Sequence, residues 1–238
     1  MPIVWGEGRM VRRSLLATIW IGFVGYTLWL APLDQPFTWF FARNLVTLQW
    51  GEINAYLMAI FWMMGVWPMI YACLMFADGR MQNFPAWPFF IASNLSGVIG
   101  LLPYLLLRQR NQAFRDKKDY WLGLLERRST GVVLLLTTLA LIAFAVIVGD
   151  WNDYMAQFHS YAFVHLISLD FCLMGLIFPL TSLLDDDMQR RGVYRPERLW
   201  AIALVPLFGP LIYLCWRPAL PNLPPTSATV SSSILEAL

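Results

Sequence analysis

The chain has 238 residues, 58% of them hydrophobic and only 13% charged, with 17 Lys and Arg against 15 Asp and Glu. So apolar a composition excludes a water-soluble globule and predicts a membrane protein whose first partner is the lipid bilayer, with no nucleic acid. Two His and three scattered Cys also exclude a histidine-rich di-iron enzyme and a Cys-x-x-Cys zinc or redox pair, so no metal is expected and the cofactor stays unknown.

The first apolar run, residues 14–31, follows Arg12 and Arg13 and is read as a membrane helix rather than a cleaved leader. Residues 35–50 are aromatic but short and carry Arg43, which suits an interfacial or re-entrant helix, a seventh span being the other reading. Runs at 53–77, 83–107, 129–149, 154–184 and 199–216 follow. A helix needs about 20 residues to cross roughly 30 Å of hydrocarbon. Trp50, Trp87, Trp121, Trp151, Trp200 and Trp216 lie at or near the ends of these runs, where an indole prefers the headgroup layer.

The predicted fold is all-α, a polytopic membrane helix bundle of about six transmembrane helices in a single integral-membrane domain, residues 1–217. Its halves, 1–108 and 129–217, are joined by a basic interfacial segment, 109–128, in which Phe114, Trp121 and Leu125 share a helical face. A solvated basic loop that only sets topology is the plainer reading of that segment. Residues 218–238, rich in Pro, Ser and Thr, are predicted to be a flexible tail. Orientation stays open, because an outer N-terminus leaves most Lys and Arg inside while Arg9, Arg12 and Arg13 argue the reverse.

One phrase occurs twice. "GLLPYLLLR" at 100–108 returns as "GPLIYLCWR" at 209–217, and "MGVWP" from Met64 is echoed by "MGLIFP" from Met174. An offset of three spans would turn the second copy upside down, giving a 3+3 inverted repeat. The alternative is chance, since Gly and Pro are common in membrane helices and a terminal Tyr and Arg are ordinary interface anchors.

Inside the membrane, chemistry concentrates in "FVHLISLDF", where His165 and Asp170 are the candidate catalytic, proton-handling pair. Five residues at about 100° each put them some 140° apart on a helix, so each needs partners elsewhere. Asn54, Ser93, Asn94, Ser96 and Tyr161 have suitable depth. Asn94, Tyr161 and Trp67 are expected on the wall of an apolar ligand cleft near the bilayer middle, because the second run is dense in aromatic and Met residues. A satisfied packing hydrogen bond and ordinary helix packing are the plainer readings. Asp185, Asp186 and Asp187 invite comparison with a Mg²⁺-diphosphate site, but the other acidic pair, Asp150 and Asp153, falls at the opposite end of the fifth run. They read instead as an acidic helix end paired with Arg190 and Arg191.

"PAWPF…LLPYLLLR" resembles an uncharacterised polytopic membrane family of cyanobacteria and plastids. "HLISLD", with the polar turn and the Gly- and Pro-containing last span that follow, is similar over residues 162–217 to the plastid neoxanthin-deficiency membrane proteins. That resemblance implies a photosynthetic membrane, thylakoid or plasma membrane, and a carotenoid or other isoprenoid lipid as partner. Three functions are therefore expected in turn: binding or acting on such a lipid, a scaffold for membrane pigment–protein complexes, and a small proton-linked transporter.

Overall fold

A computed structural model describes residues 4–29, 36–47 and 53–221, all helical or irregular. Along the chain run α1 (Val4–Trp29), α2 (Pro36–Val46), α3 (Ala55–Gly79), α4 (Trp87–Ser96), α5 (Val98–Leu107) and α6 (Tyr120–Glu126). Then follow α7 (Arg128–Val148), α8 (Trp151–Ser160), α9 (Ala162–Ile177) with a 3-10 turn (Phe178–Thr181), α10 (Leu183–Arg190), α11 (Pro196–Ala203) and α12 (Phe208–Trp216). Among the described residues, three helices are long and apolar enough to cross a bilayer: α3, α7, and α9 with its 3-10 extension. The all-α membrane bundle expected from composition is what forms.

Directions follow from contacts at the helix ends. A Cβ at Gly149, just past α7, would meet the ring of Tyr56 at the start of α3, so α7 runs back along α3. Leu57 and Met58 near the start of α3 pack in one cluster with Val164 near the start of α9, so those two run in parallel. Asn54 caps the first turn of α3 and donates to the Asp150 carbonyl and Asp153 carboxylate, both at 2.7 Å, joining α3 to α8 at this end. The 26-residue α1 starts at the other end, where Arg13 donates to the Arg108 carbonyl, and finishes with Tyr26 against His165. Short α2 lies beside the starts of α3 and α9, opposite the start of α1, its Phe41 on Tyr161 and Phe163.

The third and sixth apolar runs do not become straight helices. Residues 83–107 split at Gly97 into α4 and α5, each of 10 residues and so about 15 Å long, half the thickness of a hydrocarbon core. The chain folds back on itself there, because the rings of Phe89 and Tyr104 sit 5.7 Å apart and Gly100 lies directly on the Ala92 backbone. Residues 199–216 likewise split into α11 and α12, with Gly209 on the backbone of Ile202. A side chain at Gly100 or Gly209 would collide with main chain, which is why both hairpins close over a glycine.

Both hairpins enter and leave at the same end. The repeated segments therefore stand side by side in the same sense, and the expected 3+3 inverted arrangement is corrected to a parallel one. A hydropathy profile counts apolar length, which a hairpin and a span share.

Of the 17 Lys and Arg in the chain, every one but Arg43 belongs to the end where the hairpins open. The segment 109–128 is also not one interfacial helix. Only Tyr120–Glu126 is helical, capped by Asp119, while Phe114 is buried in the preceding irregular stretch with Ala77, Leu122 and Leu220. The expected tail begins docked, since Leu220 is buried and its carbonyl accepts from Lys118. Residues 222–238 lie outside the described residues.

Candidate functional site

The twice-written phrase builds the same device twice. Tyr104 and Arg108, one turn apart on α5, both reach Asp78 at the end of α3, at 2.6 Å from the hydroxyl and 2.6 and 2.8 Å from the guanidinium. Tyr213 and Arg217 reach Asp187 of α10 at 2.8 and 3.5 Å. The separations along the chain are identical, 26 residues from Asp to Tyr and 30 from Asp to Arg.

The two copies also interlock. Arg108 of the first donates to the Thr181 carbonyl that ends the α9 unit, and Arg217 of the second donates to the Cys73 carbonyl of α3. Arg108 thus caps the end of the 3-10 turn, while Arg217 adds a hydrogen bond to a carbonyl inside α3.

These charges are buried. Asp78, Arg108, Asp186 and Asp187 have no exposed surface, and Arg217 is 2% exposed. Arg108 bridges Asp78 and Asp186 at 2.6 Å each, while Arg110 closes on Asp185 and Asp186. Burial opposes ionisation of Asp187, yet Arg191, Arg217 and Arg190 together hold its carboxyl below the usual range. Burial would likewise lower Arg191, and Asp187 and Glu126 raise it instead. Of the expected pairing of the acidic run with Arg190 and Arg191, Arg191 meets Asp187 at 2.9 Å while Arg190 turns to Asp78 at 3.6 Å, both inside the protein rather than in solvent. The network is a clamp holding both hairpin ends.

Asp170 has a different task. Its carboxylate accepts from the backbone N–H of Val98 at 2.8 Å, at the first residue of α5, while Gly97 turns the chain with φ +58°. A Cβ at Gly97 would overlap that carboxylate. Asp170 therefore holds the tip of the first hairpin from the neighbouring spanning helix, satisfying a helix-start donor that water cannot reach. Its partner is main chain, not any of the expected side chains. Ser93, Asn94 and Ser96 donate back into their own helix.

The other expected site residues are scattered. His165 is half-buried, its Nδ1 3.2 Å from the Tyr26 hydroxyl and its ring against Phe158, and it does not meet Asp170. Trp67 is buried in the centre against Tyr71 and Phe178, with its indole N–H unpartnered. Asn94 is exposed on α4, and Tyr161 lies at the far end among Phe37 and Phe41.

A cleft of about 870 Å³ lies elsewhere, between α3, α4 and α6 at the basic end. Met69, Phe76, Phe90, Ile91, Leu124 and Leu125 form its apolar walls; Trp87 and Trp121 flank it; Arg80, Asn83, Asp116 and Asp119 stand at its mouth. From Met69 to Gly79 it follows about ten residues of α3, so it reaches about 15 Å inward, the depth of one leaflet. None of the expected site residues lines it. Its sequence signal was the pair "FADGRMQN" and "RDKKDYW", two polar runs flanking apolar helices, which nothing local brings together.

Among the described residues no cluster of three or more His, Cys, Asp or Glu has the arrangement of a metal site. The fold and these sites define a helical membrane protein with two clamped hairpins and a lateral cleft. Comparison with family models, curated proteins and solved structures finds no match to the chain.

Proposed function

We propose that the protein binds a membrane lipid in the cleft between α3, α4 and α6, with the chain along the apolar walls and the head at the polar mouth. The carrying observation is the gradient in that cleft: apolar from Met69 to Phe76, polar from Arg80 to Asn83, and one leaflet deep. Such a shape suits an amphiphile from a single leaflet. Positively charged segments are retained on the cytoplasmic side, which supports a cytoplasmic-leaflet ligand.

An isoprenoid chain is among the fitting ligands, and the resemblance to plastid and cyanobacterial proteins supports a prenyl or carotenoid lipid of a thylakoid or plasma membrane. A polyene with a polar group at each end and the length of the whole bilayer suits a one-leaflet cleft less well. The transporter reading drew its support from an inverted repeat, and parallel hairpins remove it.

The test is lipid retention. Protein extracted in mild detergent should carry lipid or pigment detectable by native mass spectrometry, and Ile91→Trp, which fills the cleft from a partly exposed position, should lower occupancy by about tenfold. Lipid-free wild-type protein, or occupancy unchanged by Ile91→Trp, would remove the reading.

A further inference from the structure

Resting on that lipid-binding reading, we infer that the head group the cleft selects is uncharged and rich in hydroxyls, as in a glycosyl lipid, rather than an anionic phosphate.

The mouth holds one cation and two carboxylates. Arg80 is paired with Asp116 at 3.6 Å and with Asp119, so its charge is neutralised and one negative charge is left over. Among the described residues that line the cleft, Arg80 is the one cation, since Arg115 and Lys117, exposed on either side of Asp116, stand outside its walls. Lys118 binds Glu126 and the Leu220 carbonyl, and Arg108 and Arg110 are held by the buried carboxylates. Gln82 is closed in a reciprocal pair with the Gln109 backbone. A phosphate arriving at this mouth would lose water and meet like charge with no free guanidinium or ammonium among the described residues that line the cleft, an arrangement that costs affinity.

What remains free is a hydroxyl-binding set. Asn83 is exposed and makes no side-chain hydrogen bond among the described residues, so it offers both an amide donor and an acceptor. Asp116 and Asp119 keep acceptor capacity beyond Arg80, because each carboxylate accepts at several positions. Trp87 and Trp121 are 56% and 62% exposed on the two flanks, presenting flat apolar faces with an indole donor at the edge. A hydroxyl both donates and accepts, so an array of hydroxyls on an apolar ring satisfies carboxylates, amide and aromatic faces at once. This selection works partly by exclusion, through the unpaired negative charge that an anionic head must approach.

The experiment is a competition read by native mass spectrometry on the full chain in detergent, with three diacyl lipids of equal chain length: monoglucosyl diacylglycerol, phosphatidylglycerol and phosphatidylcholine. The glucosyl lipid should bind about tenfold more tightly than phosphatidylglycerol. Asp116→Asn with Asp119→Asn, which keeps a good helix cap at 119, should shrink that ratio by raising phosphatidylglycerol binding. Asn83→Leu should shrink it by lowering glucosyl-lipid binding. Equal binding of the three lipids, preference for phosphatidylglycerol, or preference for the zwitterionic phosphocholine head would overturn the inference while leaving lipid binding intact. No binding in any arm, with Ile91→Trp indistinguishable from wild type, would instead overturn the reading on which it rests.

Discussion

Asp78 and Asp187 each accept a hydrogen bond from the tyrosine 26 residues further on and meet the arginine 30 residues further on. Each pair closes a helical hairpin against the helix before it, and each arginine then reaches across to the other copy. The duplication therefore forms one interlocked core, and removing either half of the device strands a charge in the other.

Arg108→Ala should destabilise the protein severely, by about 3–5 kcal/mol, because it leaves Asp78 and Asp186 buried without their shared partner. Tyr104→Phe removes a neutral donor from a carboxylate that keeps both its Arg108 bonds and should cost less, about 1.5–3 kcal/mol. Thermal unfolding in detergent, compared across the two variants, checks the ranking.

Gly97→Ala should be worse than Asp170→Ala, and Asp170→Asn should be nearly neutral. Alanine at 97 meets both a positive φ and the Asp170 carboxylate. Asparagine at 170 keeps an oxygen for the Val98 N–H, whereas alanine leaves that buried donor unpaired, a loss of about 1–3 kcal/mol. Gly65→Ala, where nothing lies within 4 Å of the new Cβ, is the control and should be tolerated. Yield of folded protein and melting temperature measure all four.

Stability should fall in acid in a defined way. The Asp187 carboxyl is held below its ordinary value in the folded protein, so its contribution is fully present above the unfolded carboxylate range, near 3.9, and is lost as pH falls through the lower folded value. Melting temperature should be level from neutral pH down to about 5 and then drop. Asp187→Asn should lower the plateau and flatten the acid limb, while Glu197→Gln, at an exposed carboxylate, should leave both unchanged.

Much of this was legible in the residues, and the losses have physical causes. Apolar composition announced the helical bundle, and the Tyr and Arg of the repeated phrase are the residues that carry the clamp. Their partners were missed because Asp78 and Asp187 stand at helix ends, where a charged residue ordinarily means solvent. The direction of the repeat was missed because a run of about 25 apolar residues reads the same whether it crosses or turns at Gly97. One signal was available: if the third and sixth runs turn back, the otherwise conflicting Lys and Arg distribution resolves to one end with Arg43 alone at the other. His165 and Asp170 drew attention as the ionisable residues of the fifth run, and Asp170 does matter, as an anchor for backbone. The cleft joins helix α3 to residues 116 and 119, and no local pattern encodes that meeting.

Side-specific thiol labelling tests the two parallel hairpins most directly. With Cys73, Cys172 and Cys215 replaced, single cysteines at exposed positions Asn83, Gln112, Glu197, Ala219 and Ser160 can be probed with a membrane-impermeant reagent in sealed vesicles. Two hairpins predict that Asn83→Cys and Gln112→Cys label from the same side, that Glu197→Cys and Ala219→Cys share that side, and that Ser160→Cys labels from the other. Asn83→Cys labelling opposite to Gln112→Cys, or Glu197→Cys opposite to Ala219→Cys, would mean that the segment between them crosses the membrane, and would contradict the fold on which the cleft depends.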